Sequence, residues 1–225
     1  MNNDMNLMQF ILGLEKEETR KSNFMLALKS ARLHTGRDID TGIANSIYEM
    51  EWELSSRPEV IENKLADSEL FIGLTIYLIL LEQIGSIFER TDIAKKTCHM
   101  KGIKYALCIF SDLTDKKEIE AINGLRNNLA HNFGLASDSR FPNNAHKFTL
   151  SFSNDAPIVK LPTKEWNCKY EDKSDDSSTV IGVYAFCNKV EQVVKNLIDI
   201  YRAGNLKFKL SEEEIKSRFT ILIYY

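Results

Sequence analysis

The chain is predicted to be mainly α-helical: an up-and-down helical bundle with a small antiparallel β hairpin or sheet inserted after its most distinctive helix. Three observations predict this. Apolar residues recur at helical spacing over several consecutive segments, short polar connections separate those segments, and the apolar period changes to two only after Gly134.

The elements follow in order. Residues 7–14 form a short apolar segment, and 16–34 read as a helix with Phe24, Leu26, Leu28 and Leu33 among its apolar positions. Thr35-Gly36-Arg37-Asp38 is a loop, and a helix over 41–54 ends at Ser55-Ser56-Arg57-Pro58, because the residue before a proline avoids helical geometry. The apolar stretch 70–88 is the central helix, broad rather than striped in its apolar residues, as befits a helix surrounded by others. It is long enough to span a bilayer, but Glu82 and Gln83 interrupt it and no basic cluster flanks it, so a core helix is expected and no membrane. Glu82 needs a partner or a wet cleft, or it marks where the helix emerges into solvent, which is the preferred reading.

Thr91 or Asp92 caps a helix running to about Ser111, and Thr114 or Asp115 caps the next, which ends near His131. The two make a helical hairpin. Beyond Gly134 the texture changes: 138–144 is a loop, Phe148-Thr149-Leu150-Ser151-Phe152 alternates with period two, and Ile158-Val159-Lys160-Leu161 returns as its hairpin partner. The acidic run 171–176 is an exposed loop without the glycine and terminal glutamate of a calcium-binding hand. A last long helix covers about 178–203, with Val180, Val183, Tyr184, Cys187, Val190, Val194, Leu197, Ile198 and Tyr201 at helical spacing. Leu206 to Leu210 alternates like a strand, Ser211 with Glu214 makes a capping box, and 219–225 is a β-prone tail expected to share one small sheet with the 148–161 hairpin. The domain organisation is a single domain over 1–225, with an insertion at 138–176 and an extension at 204–225.

Composition bounds the function. The 225 residues, 44% hydrophobic and 27% charged, are ordinary for a soluble globular protein, and a net charge of −3 gives no global field for nucleic acid. Any RNA contact rests on a local patch such as Arg90, Lys95, Lys96, Lys101 and Lys104, which also reads as a solvated helix face. Cys98, Cys108, Cys168 and Cys187 lack C-x-x-C spacing and no secretory leader is evident, so a reduced, cytoplasmic location is expected. The Cys98-His99 pair lacks two further ligands, and no metal or other cofactor is expected.

The chemistry concentrates in Leu125-Arg126-Asn127-Asn128-Leu129-Ala130-His131-Asn132-Phe133-Gly134. At about 100° per residue, Ile122, Leu125 and Leu129 share one stripe, while Asn127 and His131 fall about 40° from each other on the opposite side. A histidine near a helix C-terminus also serves as a cap that favours the negative end of the dipole. Two asparagines inside the helix run against propensity, and that argues for a further role.

These residues resemble the R-x4-6-H motif of the HEPN superfamily (higher eukaryotes and prokaryotes nucleotide-binding), here Arg126 to His131 with Asn127 as the polar residue after the arginine. The resemblance covers about residues 1–135 and the helix near 178–203. It implies a metal-independent endoribonuclease working as a homodimer, with both motifs facing one cleft. His131 would move the proton of an RNA 2′-hydroxyl or of the departing 5′-oxygen, Arg126 would hold the phosphate by a forked contact, and Asn127 would orient phosphate or imidazole. RNA is then the substrate, in a toxin or phage-defence role, with an antitoxin-type protein partner. In some toxin–antitoxin members a tyrosine follows the histidine one residue later; Phe133 stands there, which removes that acceptor hydroxyl. The alternative is a non-catalytic HEPN-like module that binds nucleotide, RNA or protein through the same cleft. A third class is a structural adaptor that uses the β insertion as its interface.

Overall fold

In the computed structural model, residues 6–15, 20–35, 67–93, 100–132, 134–137, 145–172 and 174–222 are described. The chain is mostly helical with small sheets. In order, its elements are α1 (Leu7–Ile11), β1 (Arg20–Ser22), α2 (Asn23–His34), α3 (Asp67–Ile87), β2 (Phe88–Arg90), α4 (Gly102–Phe110), α5 (Lys116–Asn132), β3 (Ala136–Ser137), β4 (His146–Ser151), β5 (Val159–Lys160), β6 (Thr179–Gly182), α6 (Val183–Arg202), β7 (Leu206–Phe208), α7 (Glu212–Phe219) and β8 (Thr220–Leu222). They fall into two compact units, one from residues 1–94 with 197–225 and one from residues 95–196.

In the first unit α2 packs along α3. Phe24, Leu28 and Ala31 on one helix and Leu70, Leu74, Tyr77, Leu78, Leu80, Leu81, Ile84 and Ile87 on the other are buried. Each fully buried leucine stabilises the fold by roughly 1.5–3 kcal/mol relative to exposure. The helices approach closely at Gly73, where a Cβ would lie 3.3 Å from the Ala31 carbonyl oxygen and would collide with the Thr35 methyl. That methyl is fixed, because the Thr35 hydroxyl donates to the Ala31 carbonyl at 2.8 Å. The segment Glu69–Ile87 is long and apolar enough to cross a membrane by length and composition, and 56% of that stretch is buried, consistent with the expected core helix. Glu82 is half-buried.

Two departures from the sequence reading lie in this unit. The helix expected over 16–34 begins only at Asn23, because Arg20–Ser22 is a strand and the Ser22 hydroxyl caps α2 by accepting from the Met25 amide. The C-terminal tail does form a strand, but β8 pairs antiparallel with β1, Arg20 opposite Leu222, and not with the strands of 148–161. A second ribbon joins β2 and β7, Phe88 opposite Phe208. There the buried Phe88 ring stacks on Phe208 at 5.8 Å and meets the edge of Phe24 at 6.1 Å. The expected alternation at 206–210 and the short capped helix after it are both present, with the Ser211 hydroxyl accepting from the Glu214 amide. The helix expected over 41–54 lies outside the described residues.

The second unit holds α4, α5, a sheet and the first part of α6. The helix expected from Thr91 or Asp92 starts later: Thr91–Ile93 is a bend, Lys101 is extended (φ −130°, ψ 163°), and α4 begins at Gly102. The helical hairpin of α4 and α5 is borne out, and Lys104 of α4 donates to Glu120 of α5 at 2.7 Å. The basic residues expected in or beside one helix are divided: Arg90 lies on β2 and pairs with Asp92 at 2.6 Å, while Lys95 and Lys96 lie outside the described residues.

The sheet departs furthest from expectation. Its order is β3-β4-β6-β5, so β4 and β5 are not hairpin partners. Between them lies β6, parallel to β4 and antiparallel to β5, with Ile181 opposite both Leu150 and Val159. The sheet is therefore mixed. Residues 179–182, expected as the first turn of the last helix, are its central strand, and α6 starts at Val183. The reason is burial: Thr179, Ile181 and Gly182 are buried, with β4 along the whole strand and β5 beside Val180 and Ile181, and interior strands carry continuous apolar runs that periodicity does not separate from helix. Lys189 on α6 donates to Asp112 at 2.6 Å and holds that carboxyl below its usual range.

Candidate active site

Helix α5 starts where the sequence places it. The Asp115 carboxylate accepts from the Lys117 amide at 2.7 Å, and the Asp115 carbonyl takes the Ile119 amide at 3.1 Å. One face is core, with Ile119, Ala121, Ile122, Leu125 and Leu129 buried. At its far end the Gly134 amide returns to the Asn128 carbonyl at 3.4 Å.

Asn127 and His131 are exposed and Arg126 is half-buried, so the polar face lies where helical geometry puts it. The Arg126 guanidinium donates through Nη1 to the Asn127 carboxamide oxygen at 3.1 Å, which brings two of the three candidate residues together. His131 follows Asn127 by one turn, about 6 Å along the axis and roughly 40° round it. Phe133 lies outside the described residues.

The second asparagine has a different position from the first. Asn128 is buried, and its side-chain nitrogen has no hydrogen-bond partner. Burying an amide donor unpaired costs about 1–3 kcal/mol. Both asparagines run against helix propensity; helical spacing sets Asn127 outward, as observed, but assigns no side to Asn128.

Gly124, on the same helix, faces β4. A Cβ there would lie 2.8 Å from the His146 ring carbon Cδ2 and 3.5 Å from the Phe148 ring, so the imidazole occupies the space the glycine leaves. His146 stacks on Phe148 with centroids 5.2 Å apart. Burial lowers its pKa below the ordinary 6.5, and the charge of Glu120 opposes this to a lesser degree. His146 has no spacing relation to the motif and was not singled out from sequence.

Among the described residues no cluster of three or more His, Cys, Asp or Glu side chains is arranged to hold a metal ion. Cys98 and His99 lie outside them. No family model matches the chain, and no curated protein or solved structure matches it.

Proposed function

We propose that the chain is a metal-independent endoribonuclease of HEPN type, cleaving RNA at a composite site formed by two copies of α5. The observation that carries this reading is the hydrogen bond from half-buried Arg126 to exposed Asn127, with His131 exposed one turn beyond. An arginine presents a planar fork suited to a phosphodiester, and an imidazole transfers protons near neutral pH.

In the proposed reaction the RNA 2′-oxygen attacks the adjacent phosphorus, and the phosphorus–5′-oxygen bond breaks. One histidine of the dimer takes the 2′-hydroxyl proton and the other delivers a proton to the leaving 5′-oxygen. Arg126 holds the non-bridging oxygens as charge builds on them. The products are a 2′,3′-cyclic phosphate and a 5′-hydroxyl.

The test is cleavage of a mixed RNA pool by purified protein in excess EDTA, with His131→Ala and Arg126→Ala alongside and the product ends mapped. Cyclic-phosphate ends in the wild type, lost in both variants, support the nuclease. Products with 3′-hydroxyl ends refute the mechanism, and intact RNA with all three proteins moves the reading to the non-catalytic binding module. Sedimentation tests the dimer.

A further inference from the structure

A cavity of about 560 Å³ lies in the second unit, between the first turn of α5, the start of β4, the 161–168 loop and the start of β6. Its size falls within the range of about 300–1,000 Å³ usual for small-molecule sites. None of its lining residues belongs to the Arg126–His131 motif.

The charges in it do not balance. Lys147 is spoken for, donating to the carbonyls of Asp172 and Ser174 at 2.8 and 2.9 Å, and Glu120 is paired with Lys104. Lys116 and Lys117 remain, two adjacent ammonium groups with no ion-pair partner among the described residues, against the single carboxylate of Glu165. The Asp115 side chain already occupies the Lys117 amide at the helix start, so an incoming anion would be held by the lysine side chains.

The apolar part of the lining is held in place. Leu161, Pro162 and Trp166 form it, and the Trp166 indole N–H already donates to the Lys169 carbonyl at 3.2 Å. Trp166 is further held by edge contact with Tyr170 at 5.7 Å. With its one polar group satisfied, the indole offers the cavity only apolar and π surface. A ligand that matches this lining carries an anionic group for the lysines and a flat ring for the apolar residues, and Glu165 supplies an acceptor for an amino or hydroxyl group.

We infer that this cavity binds a nucleoside monophosphate, its phosphoryl group on Lys116 and Lys117 and its base against the Leu161, Pro162 and Trp166 wall. The assignment is independent of the nuclease reading and stands or falls separately from it.

Calorimetric titration of the full chain with AMP and UMP, with inorganic phosphate and with uridine tests it. Saturable binding of a nucleotide is expected, at least ten-fold tighter than that of phosphate or nucleoside alone. The doubly substituted Lys116→Ala, Lys117→Ala variant should bind at least ten-fold more weakly while keeping its circular dichroism spectrum. Cys168 is exposed, lines the same cavity and provides a second readout: bound nucleotide should slow its alkylation, mapped by peptide mass. Absence of nucleotide binding at millimolar concentration overturns the proposal, as does binding that is unchanged in the double variant or that leaves Cys168 equally reactive. A short 5′-phosphorylated RNA used as competitor separates the two sources of this chemistry. Displacement of UMP assigns the cavity to an RNA end, and failure to displace it assigns the cavity to a free nucleotide.

Discussion

Gly182 closes β6 where the 156–158 turn crosses it, and replacing it with alanine tests how rigid that crossing is. A Cβ at this position would collide with the Pro157 carbonyl oxygen and lie 2.9 Å from both the Cβ and the carbonyl oxygen of Ala156. Two of these atoms are backbone, so no rotamer change relieves the contact. The same turn is tied to the strand by the Gly182 amide, 3.1 Å from the Pro157 carbonyl and 3.2 Å from that of Ile158. Overpacking of this kind costs about 1–3 kcal/mol. Stretching the shared hydrogen bond adds up to about 1 kcal/mol. Against this, alanine restricts the unfolded chain and returns about 0.4–1 kcal/mol. Taking the middle of each range, Gly182→Ala should therefore lose about 2 kcal/mol. Urea denaturation followed by far-UV circular dichroism reads this as a lower midpoint at unchanged slope. A variant as stable as the wild type, or more stable, would refute the argument that the turn is held against the strand by backbone.

Phe88→Ala removes the ring shared by Phe24 and Phe208 in a fully buried site, and a loss of about 3–5 kcal/mol is expected from the same denaturation experiment. A loss under about 1 kcal/mol would mean the cluster is not packed as described. His146 predicts a pH dependence: its folded pKa is below 6.5, so as pH falls through 6.5 the unfolded chain takes up a proton that the folded chain does not, and stability declines. The cause is burial of the imidazole, and the charge of Glu120 opposes it. The decline, up to about 1.4 kcal/mol per pH unit for one proton, should be visible between about pH 7 and 5.5 and be reduced in His146→Gln. An identical slope in that variant would assign it elsewhere. On the proposed nuclease reading, Arg126→Ala and His131→Ala should each abolish RNA cleavage; the exposed His131 should be replaceable at a melting temperature close to wild type, whereas loss of the half-buried Arg126 should lower it somewhat.

What the sequence made legible was local. Asp115 as a cap, the buried Ile122, Leu125 and Leu129 stripe and the outward Asn127 and His131 all follow from a period of 3.6 within one helix. Ser211 and its short helix followed from a four-residue pattern. Apart from the late start of α4, the failures were non-local. Val180 and Ile181 continue the apolar spacing of α6, so nothing nearby marks the change to strand; the marks are Thr149 and Lys160, which pair with Val180 from either side. The tail was correctly read as β-prone, but its partner is Arg20–Ser22, at the other end of the chain. Lys116, Lys117, Leu161, Pro162 and Trp166 come from separate segments and meet only in the folded unit, so no motif could have joined them.

The central position of β6 has a consequence for how the sheet is assembled. Strands β4 and β5 are separated by only a short turn segment, and a direct hairpin between them closes a far smaller loop than the native pairing of β4 with β6. Loop closure alone would thus favour a non-native contact. Such a hairpin would have to open before Thr179–Gly182 could enter between the two strands. A chain still being synthesised holds the two flanking strands without the one that belongs between them. Refolding of this unit should accordingly carry a slow phase set by hairpin opening, and substitutions that weaken the turn at 153–157 should speed it.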